Sequence, residues 1–361
     1  MPSPGSSAAR AAAENFVFEG FAPEVQPLGA GFVNDTFIVR TSARRYILQR
    51  KNRLIFADVP AMMANIAAVT EHIRRKVSDP LRETLTIVPA KDGKLYYLDG
   101  AGDYWAACLF IEDSISYETA SNPELARQGG MGLGRFQALL ADFDEPLAEV
   151  LPGFHDIRFR FGQWDRSLAA DKAGRAGGLP EEIAFIEGRR AEMLDFWKLF
   201  EDGVLPSRVT HNDTKISNFL FDSRTGAMLC AVDLDTVMRS TPLNDVGDAV
   251  RSYANNAAED EPDYSKVWLR TDMYEAYMQG YLGEMKDFLT GAEKERLAFA
   301  PLYITFEQVL RFLMDYIDGD TYYKTAYPEH NLVRARNQMA LLRSMEDAYA
   351  RMQDCVRDLL R

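Results

Sequence analysis

Residues 32–50 carry clustered apolar positions and read as two short strands, rich in Phe, Ile, Val and Tyr, around a turn at Thr41–Arg44. Pro60–Lys76 changes to helical spacing, with Met62, Met63, Ile66, Val69 and Ile73 on one stripe and Asp58 placed to cap it. Strand-like pieces follow at Leu85–Val88, Lys94–Leu98 and Tyr104–Ile111, broken by turn signals at Asp92-Gly93 and Asp99-Gly100. After Glu112 the helical period dominates, predicting helices over Pro123–Asp142, Pro180–Phe200, Trp268–Phe288, Pro301–Ile317 and Leu332–Leu360. A short apolar, β-branched stretch, Val209–Asp235, interrupts them, and Ser167–Leu179 and Asn255–Asp263 have loop composition. No fixed-period repeat is present. The pattern predicts an α+β protein in two lobes: a frayed tail over 1–14, a small sheet-rich lobe with one helix over 15–112, and a larger, mainly helical lobe over 113–361.

Composition narrows the function. The chain has 361 residues, 47% hydrophobic and 26% charged, enough to bury a real core. Its net charge of -13 repels a phosphate backbone and an anionic membrane surface, so nucleic-acid and membrane partners are not expected. Three scattered cysteines (Cys108, Cys230, Cys355) give no CxxC pairing, and four histidines (His72, His155, His211, His330) give no HxH or HxxxH pair. A disulfide framework and a thiolate or histidine-rich metal site are therefore not expected. The opening residues are small and polar with no signal-peptide core, and no apolar run reaches the ~18 residues of a membrane span. A cytoplasmic location is the resulting expectation.

The strongest chemical signal is His211-Asn-Asp-Thr-Lys-Ile-Ser-Asn218, followed by the apolar strand Ala231-Val-Asp-Leu-Asp235. Phosphoryl transfer needs a carboxylate to orient and accept the proton of an attacking hydroxyl, and a hard cation bridging the nucleotide phosphates. Asp213 suits the first task; Asn218 and Asp233 offer oxygens for the second. Asn218 is neutral, so fewer negative charges would face the triphosphate. Asp and Asn at such spacing also form ordinary turns. The complete loop with its following Asp-terminated strand is what distinguishes the pattern from a turn.

Val209–Asn218 and Ala231–Thr236, with Pro242-Leu-Asn-Asp-Val-Gly-Asp248, resemble the aminoglycoside phosphotransferase and choline-kinase superfamily. Gly31–Phe37, Tyr46–Arg50 and Arg311–Tyr323 add a resemblance to the bacterial N-acetylhexosamine 1-kinases within it. The similarity runs from about residue 28 to about residue 345. It implies a protein-kinase-like bilobal fold, ATP and Mg2+ as cofactors, and γ-phosphate transfer to a small-molecule sugar acceptor, at the anomeric hydroxyl of an N-acetylhexosamine. An aminoglycoside, an amino alcohol or another sugar is the alternative acceptor, and an inactive nucleotide-binding regulator the alternative role. Asp213 would be the catalytic base and Asn218 and Asp233 the metal ligands. His211 would be a buried organiser and Asp245 the carboxylate supporting the catalytic loop. Asp235 would be either a partner of the metal ligand, facing the same side of a strand as Asp233, or a turn cap.

The chain departs from that family at the phosphate anchor. Kinases of this fold place a Lys at the end of the third strand, paired with a helix Glu; here Gln49 holds the position, with Arg50 next to it. Either Gln49 pairs with Asn65 on the following helix, or Arg50 reaches the phosphates, or Arg50 is an ordinary exposed strand residue. The nucleotide loop, Gly29-Ala-Gly31-Phe-Val-Asn34, lacks a last glycine, and Asn34 is the residue that could take its left-handed backbone. Gly129–Gly134 follows no strand and reads as close helix packing. Asp35, Thr214, Arg311 and Tyr322 are the acceptor candidates, the last two offering an Arg fork and a ring to a sugar.

Overall fold

The structure, a computed structural model, describes residues 4–21, 23–29 and 33–361. From the amino terminus come α1 (Pro4–Ala13), β1 (Glu24–Pro27), β2 (Asp35–Arg40), β3 (Arg45–Lys51) and α2 (Val59–Arg74). β4 (Ile87–Val88), β5 (Tyr97–Leu98), β6 (Tyr104–Leu109) and β7 (Ser114–Ile115) follow. The helical part opens with α3 (Pro123–Leu139), α4 (Ile157–Ala170), α5 (Pro180–Glu187) and α6 (Arg190–Glu201). Four short strands interrupt it: β8 (Arg208–Thr210), β9 (Phe219–Asp222), β10 (Met228–Ala231) and β11 (Met238–Ser240). Then come α7 (Pro242–Tyr253), α8 (Thr271–Met285), α9 (Gly291–Arg296), α10 (Ala300–Asp318), α11 (His330–Asp347) and α12 (Tyr349–Leu359).

Two compact units result. The first gathers Met1–Ile115, Asp142–Pro152 and Leu220–Met238; the second holds Ser116–Ala141, Gly153–Phe219 and Arg239–Arg361. The single cut after residue 112 is thereby corrected, because the segment carrying Asp233 packs with the sheet-rich unit although it lies far along the chain.

The first unit is built on an antiparallel sheet in the order β1-β2-β3-β6-β4, with β5 also on β6. Its register sets Thr36 opposite Gln49 and Asp35 opposite Arg50. Side chains alternate across a strand, so Tyr46 and Leu48 enter one core with Val39, Trp105 and Ala107, while Ile47, Gln49 and Lys51 point the other way. That core also takes Ala9, Ala12, Ala13 and Phe16, so the expected frayed tail holds α1, docked through its alanines. The reason is alanine itself: it is the best helix former, and its small side chain lets a helix lie close on a sheet without the large apolar residues that mark a buried helix in sequence. On α2, Asp58 accepts from the Ala61 amide at 2.9 Å as predicted, and Pro60 occupies the first turn, where it costs no hydrogen bond.

The second unit is helical. Gly130 on α3 lies so near α8 that an added Cβ would come 2.0 Å from the Tyr277 carbonyl oxygen, and Gly280 on α8 meets the Arg127 carbonyl at the same 2.0 Å. The glycines of Gly129–Gly134 thus serve close helix packing. Sequence periodicity missed α4 and α7, and it merged two pairs: α5 and α6 separate at Gly188, and α11 and α12 at Ala348. α7 carries Asn244, Asp245 and Asp248 within its buried face. Those buried polar groups blur the apolar stripe on which the helical prediction rests. Among the described residues, no helix is long and apolar enough to cross a membrane.

Candidate active site

The Asp213 loop lies in the second unit. Leaving β8, the chain turns through Asn212 in the left-handed region at φ 65°, a conformation Asn tolerates better than most residues. α7 fixes this bend. Asp245 accepts from the Asn212 amide at 2.7 Å and the His211 amide at 3.0 Å, and Gln137 donates to it at 3.0 Å. Burial pushes the Asp245 carboxyl up, and these donors oppose the shift. Asp248, one turn along α7, accepts from the Thr214 amide at 2.8 Å. The His211 ring is fully buried between Phe136 and Phe219 and its Nδ1 accepts from the Asp213 amide at 3.3 Å, which places it as an organiser.

Asp213 emerges from this frame one-third exposed. Its Oδ2 accepts from Lys215 Nζ at 3.0 Å and from Asn218 Nδ2 at 2.9 Å. No donor of the described residues is recorded on Oδ1, which leaves one oxygen able to take a proton. Desolvation works against the charge, yet the Lys215 ammonium, His211 and the bond from Asn218 outweigh it and hold the carboxyl below its usual range. Asn218 also donates to the Asp213 carbonyl at 2.8 Å, so its amide hydrogens face Asp213 and its oxygen is not used on that residue. A neutral, hard oxygen so presented fits a cation of the magnesium type. Among the described residues, no group of three or more His, Cys, Asp or Glu could hold a metal ion.

Thr214 is a correction. It is fully buried and its hydroxyl donates to the Asp245 carbonyl at 2.7 Å, so it braces the loop and offers nothing to an acceptor.

Arg311 and Tyr322 do come together. The Arg311 guanidinium lies over the rings of Phe154, Tyr322 and Tyr323, at 5.4, 5.8 and 5.6 Å from their centroids. Its polar partners are Gln308 Oε1 at 3.4 Å and the Tyr322 side chain; no carboxylate of the described residues pairs with it. Asp315, unnoticed in the sequence, sets the tyrosines: it accepts from the amides of Thr321, Tyr322 and Tyr323 at 2.8, 2.7 and 2.9 Å.

The first unit carries Asp233, Asp235 and the strand residues Gln49 and Arg50. Asp233 takes the left-handed region at φ 57°, and Leu234–Thr236 is a single 3-10 turn, so Asp233 and Asp235 do not share a strand face as expected. Asp235 is no cap: its Oδ1 accepts from Lys51 Nζ at 2.6 Å and its Oδ2 from Asn34 at 2.7 Å. Lys51 also donates to Gln49 Oε1 at 2.6 Å. The side chains of Lys51 and Asp235 are only 3% and 5% exposed. Lys51 is the cation that sequence reasoning missed. It lies two residues past Gln49 and therefore on the same strand face, the signal that could have found it.

Three further expectations change here. Asn65 does not pair with Gln49, because its amide spans the Ala148 and Val237 carbonyls at 2.8 and 2.9 Å. Arg50, one residue from Gln49, projects from the opposite face and donates to Asp35 at 2.9 Å and to Asp103 at 3.2 Å, so its guanidinium is engaged by two carboxylates. The same pair engages Asp35. Asn34 does not adopt a left-handed backbone; its side chain works instead, bonding Asp235 and the Asn52 amide. Gly29 does take the left-handed region at φ 67°, and Gly31 lies outside the described residues.

A family model for the APH phosphotransferase enzyme family matches residues 24–293, and the chain belongs to that family. It is a phosphotransferase. Among solved structures it is similar to a microcompartment-associated aminopropanol kinase (17% identity, 96% of this chain and 98% of that one, TM-score 0.66). An amicoumacin kinase in complex with AMP-PNP, Ca2+ and its acceptor gives 14% identity, 96% and 94% coverage and a TM-score of 0.61. A spectinomycin phosphotransferase with ADP and spectinomycin gives 13% identity, 95% and 98% coverage and a TM-score of 0.55. The mixed α+β fold, an antiparallel-sheet amino-terminal region followed by a helical part, is the protein-kinase-like fold of these neighbours.

Proposed function

We propose that this protein transfers the γ-phosphate of ATP to a sugar, at the anomeric hydroxyl of an N-acetylhexosamine. The observation that carries the phosphotransfer chemistry is Asp213, ionised and braced by Lys215 and Asn218, with one carboxylate oxygen open to a hydroxyl proton. Its role is to orient that hydroxyl for in-line attack and accept its proton. Asn218 and Asp233 would hold Mg2+, which when bound supplies charge neutralisation across the phosphate oxygens. The nucleotide and divalent cation in the amicoumacin kinase complex support this assignment. Lys51, steadied by Asp235 and Gln49, is the cation available to the phosphates in place of the missing Lys at position 49.

The acceptor argument rests on Arg311. A guanidinium without a carboxylate partner, stacked on aromatic rings, keeps donors for ring oxygens or an acetamido carbonyl. It repels an ammonium group, which favours a neutral sugar over an aminoglycoside or amino alcohol. The amine-bearing acceptors of the neighbouring kinases and the net charge of -13 support the opposite choice, so the acceptor panel must contain both classes.

The test is ATP consumption with Mg2+ over N-acetylglucosamine, N-acetylgalactosamine, plain hexoses, choline and an aminoglycoside, with product analysis. Sugar-dependent turnover yielding a sugar 1-phosphate is expected, falling ~10²–10⁴-fold in Asp213→Asn. Turnover with cationic acceptors alone would overturn the acceptor assignment. ATP binding without turnover on any acceptor would favour a regulator, and a fully active Asp213→Asn would remove the base.

A further inference from the structure

His155 precedes α4 and has no part in the chemistry above. It is buried, 6% exposed in its side chain. Its Nδ1 lies 2.7 Å from Glu307 Oε2 and its Nε2 lies 3.2 Å from the Asn212 carbonyl oxygen. A carboxylate and a carbonyl only accept, so a ring serving both must donate from both nitrogens, which only the imidazolium does. The Tyr303 hydroxyl, donating to the His155 carbonyl at 2.7 Å, holds its backbone in place.

The charged neighbours on every packed element are Glu307 and Arg311 on α10, Arg160 on α4 and Asp248 on α7. Burial disfavours the imidazolium, Glu307 and Asp248 favour it and Arg311 opposes it; the balance leaves the ring above its ordinary value of 6.5. Glu307 is itself held down to about 2, with burial overcome by His155, Arg160 and Arg311.

The carbonyl that His155 grips belongs to the peptide joining Asn212 to Asp213. The amide on the other side of that same peptide is the Asp213 N–H, taken by His211 Nδ1 at 3.3 Å. Two imidazoles therefore hold one peptide plane at both ends, next to a left-handed residue where the backbone has least intrinsic reason to stay.

We propose that His155, as an imidazolium, is a positioning residue for Asp213: it fixes the plane of the 212–213 peptide and so the aim of the carboxylate. This rests on the reading of Asp213 as the base. When the ring loses its proton, one nitrogen becomes an acceptor facing an acceptor, the carbonyl is released and the base loses its alignment. Glu307 lies one helical turn before Arg311 on α10, so the same pair links the acceptor side to the base.

The experiment is a kcat and KM profile from about pH 6 to about pH 10 for wild type, His155→Gln and Glu307→Gln, with NMR of ring-labelled histidine on the same proteins. In wild type, kcat should fall about 10- to 100-fold along one ionisation above the ordinary histidine value of 6.5, with KM for ATP unchanged, and the His155 ring should titrate at that pH. His155→Gln, which presents its donor hydrogens from a single nitrogen instead of two opposed ones and cannot titrate, should have a low kcat that is flat across the interval. Glu307→Gln removes the counter-charge, so both the kinetic limb and the ring titration should move to lower pH. A limb that persists in His155→Gln, or one that stays put in Glu307→Gln while the ring titration moves, overturns the proposal. A ring that is neutral from pH 6 upward overturns it as well. Full turnover by Asp213→Asn would sink the base itself, and this proposal with it, even where the ring titrates as described.

Discussion

Each unit buries an ion pair, and the two pairs differ in their surroundings. Lys51–Asp235 in the first unit is enclosed by neutral groups: Gln49 takes a second ammonium hydrogen and Asn34 the second carboxylate oxygen. Charge balances charge, and the remaining donors and acceptors are amides. His155–Glu307 in the second unit has one carboxylate serving two cations, since Arg160 Nε reaches Glu307 at 3.3 Å, and Arg311 adds a third positive group nearby. The first pair is a latch tying β3, the loop before β2 and the turn after Asp233. The second carries a positive excess and contains histidine, the residue type whose charge changes near neutrality.

This difference also explains what could be read in the sequence. The Asp213 loop was legible because its groups are local: Asp213 and Asn218 lie within a few residues, the spacing on which the phosphotransfer reading rests. Its supports were not, because His155 and Glu307 stand 152 residues apart and meet only in the folded chain. The latch failed to show for the same reason: Lys51 and Asp235 are 184 residues apart. An expectation tuned to one strand position looked at Gln49 and Arg50 and passed over the next residue on the correct face. The sheet and the long helices followed from periodicity. α1 did not, since alanines pack a helix closely without a visible stripe, nor did α7, whose buried face spends its polar residues on the catalytic loop.

The largest effect expected from breaking the comparison is at the latch. Lys51→Met leaves the Asp235 carboxylate buried beside Asn34 alone, and an unpaired buried charge costs about 3–5 kcal/mol. Thermal or denaturant unfolding should show that loss. The double variant Lys51→Met/Asp235→Leu removes both charges and should recover most of it. If the double variant stays as unstable as the single one, the pair is not acting as a closed unit.

A smaller effect separates the second pair by pH. The folded-state pKa of Glu307 is lowered from 4.5 to about 2, so its contribution is present above about 4.5 and fades as pH falls toward about 2. The folded-state pKa of His155 is raised above 6.5, so its contribution is complete below 6.5 and is lost as pH climbs through the raised value. Stability from this pair should therefore be greatest between about pH 4.5 and 6.5. Glu307→Gln should lower the melting temperature most inside that window, and a uniform loss at every pH would contradict the assignment.

The smallest effect is expected at Arg50, and it sharpens the contrast between the two faces of β3. Arg50 is the neighbour of both Gln49 and Lys51, yet it lies on the opposite side of the strand, 35% exposed and paired with Asp35 and Asp103. Exposed pairs of this kind contribute about 0–1 kcal/mol, because solvent screens the attraction and side-chain ordering opposes it. Arg50→Gln should shift the melting point by little and leave KM for ATP near wild type, while Lys51→Gln, which removes the cation on the inner face, should raise KM for ATP in a soluble, folded protein. A large rise in KM for Arg50→Gln with none for Lys51→Gln would mean that the phosphates approach the Arg50 face of the strand, and the latch would then be structural alone.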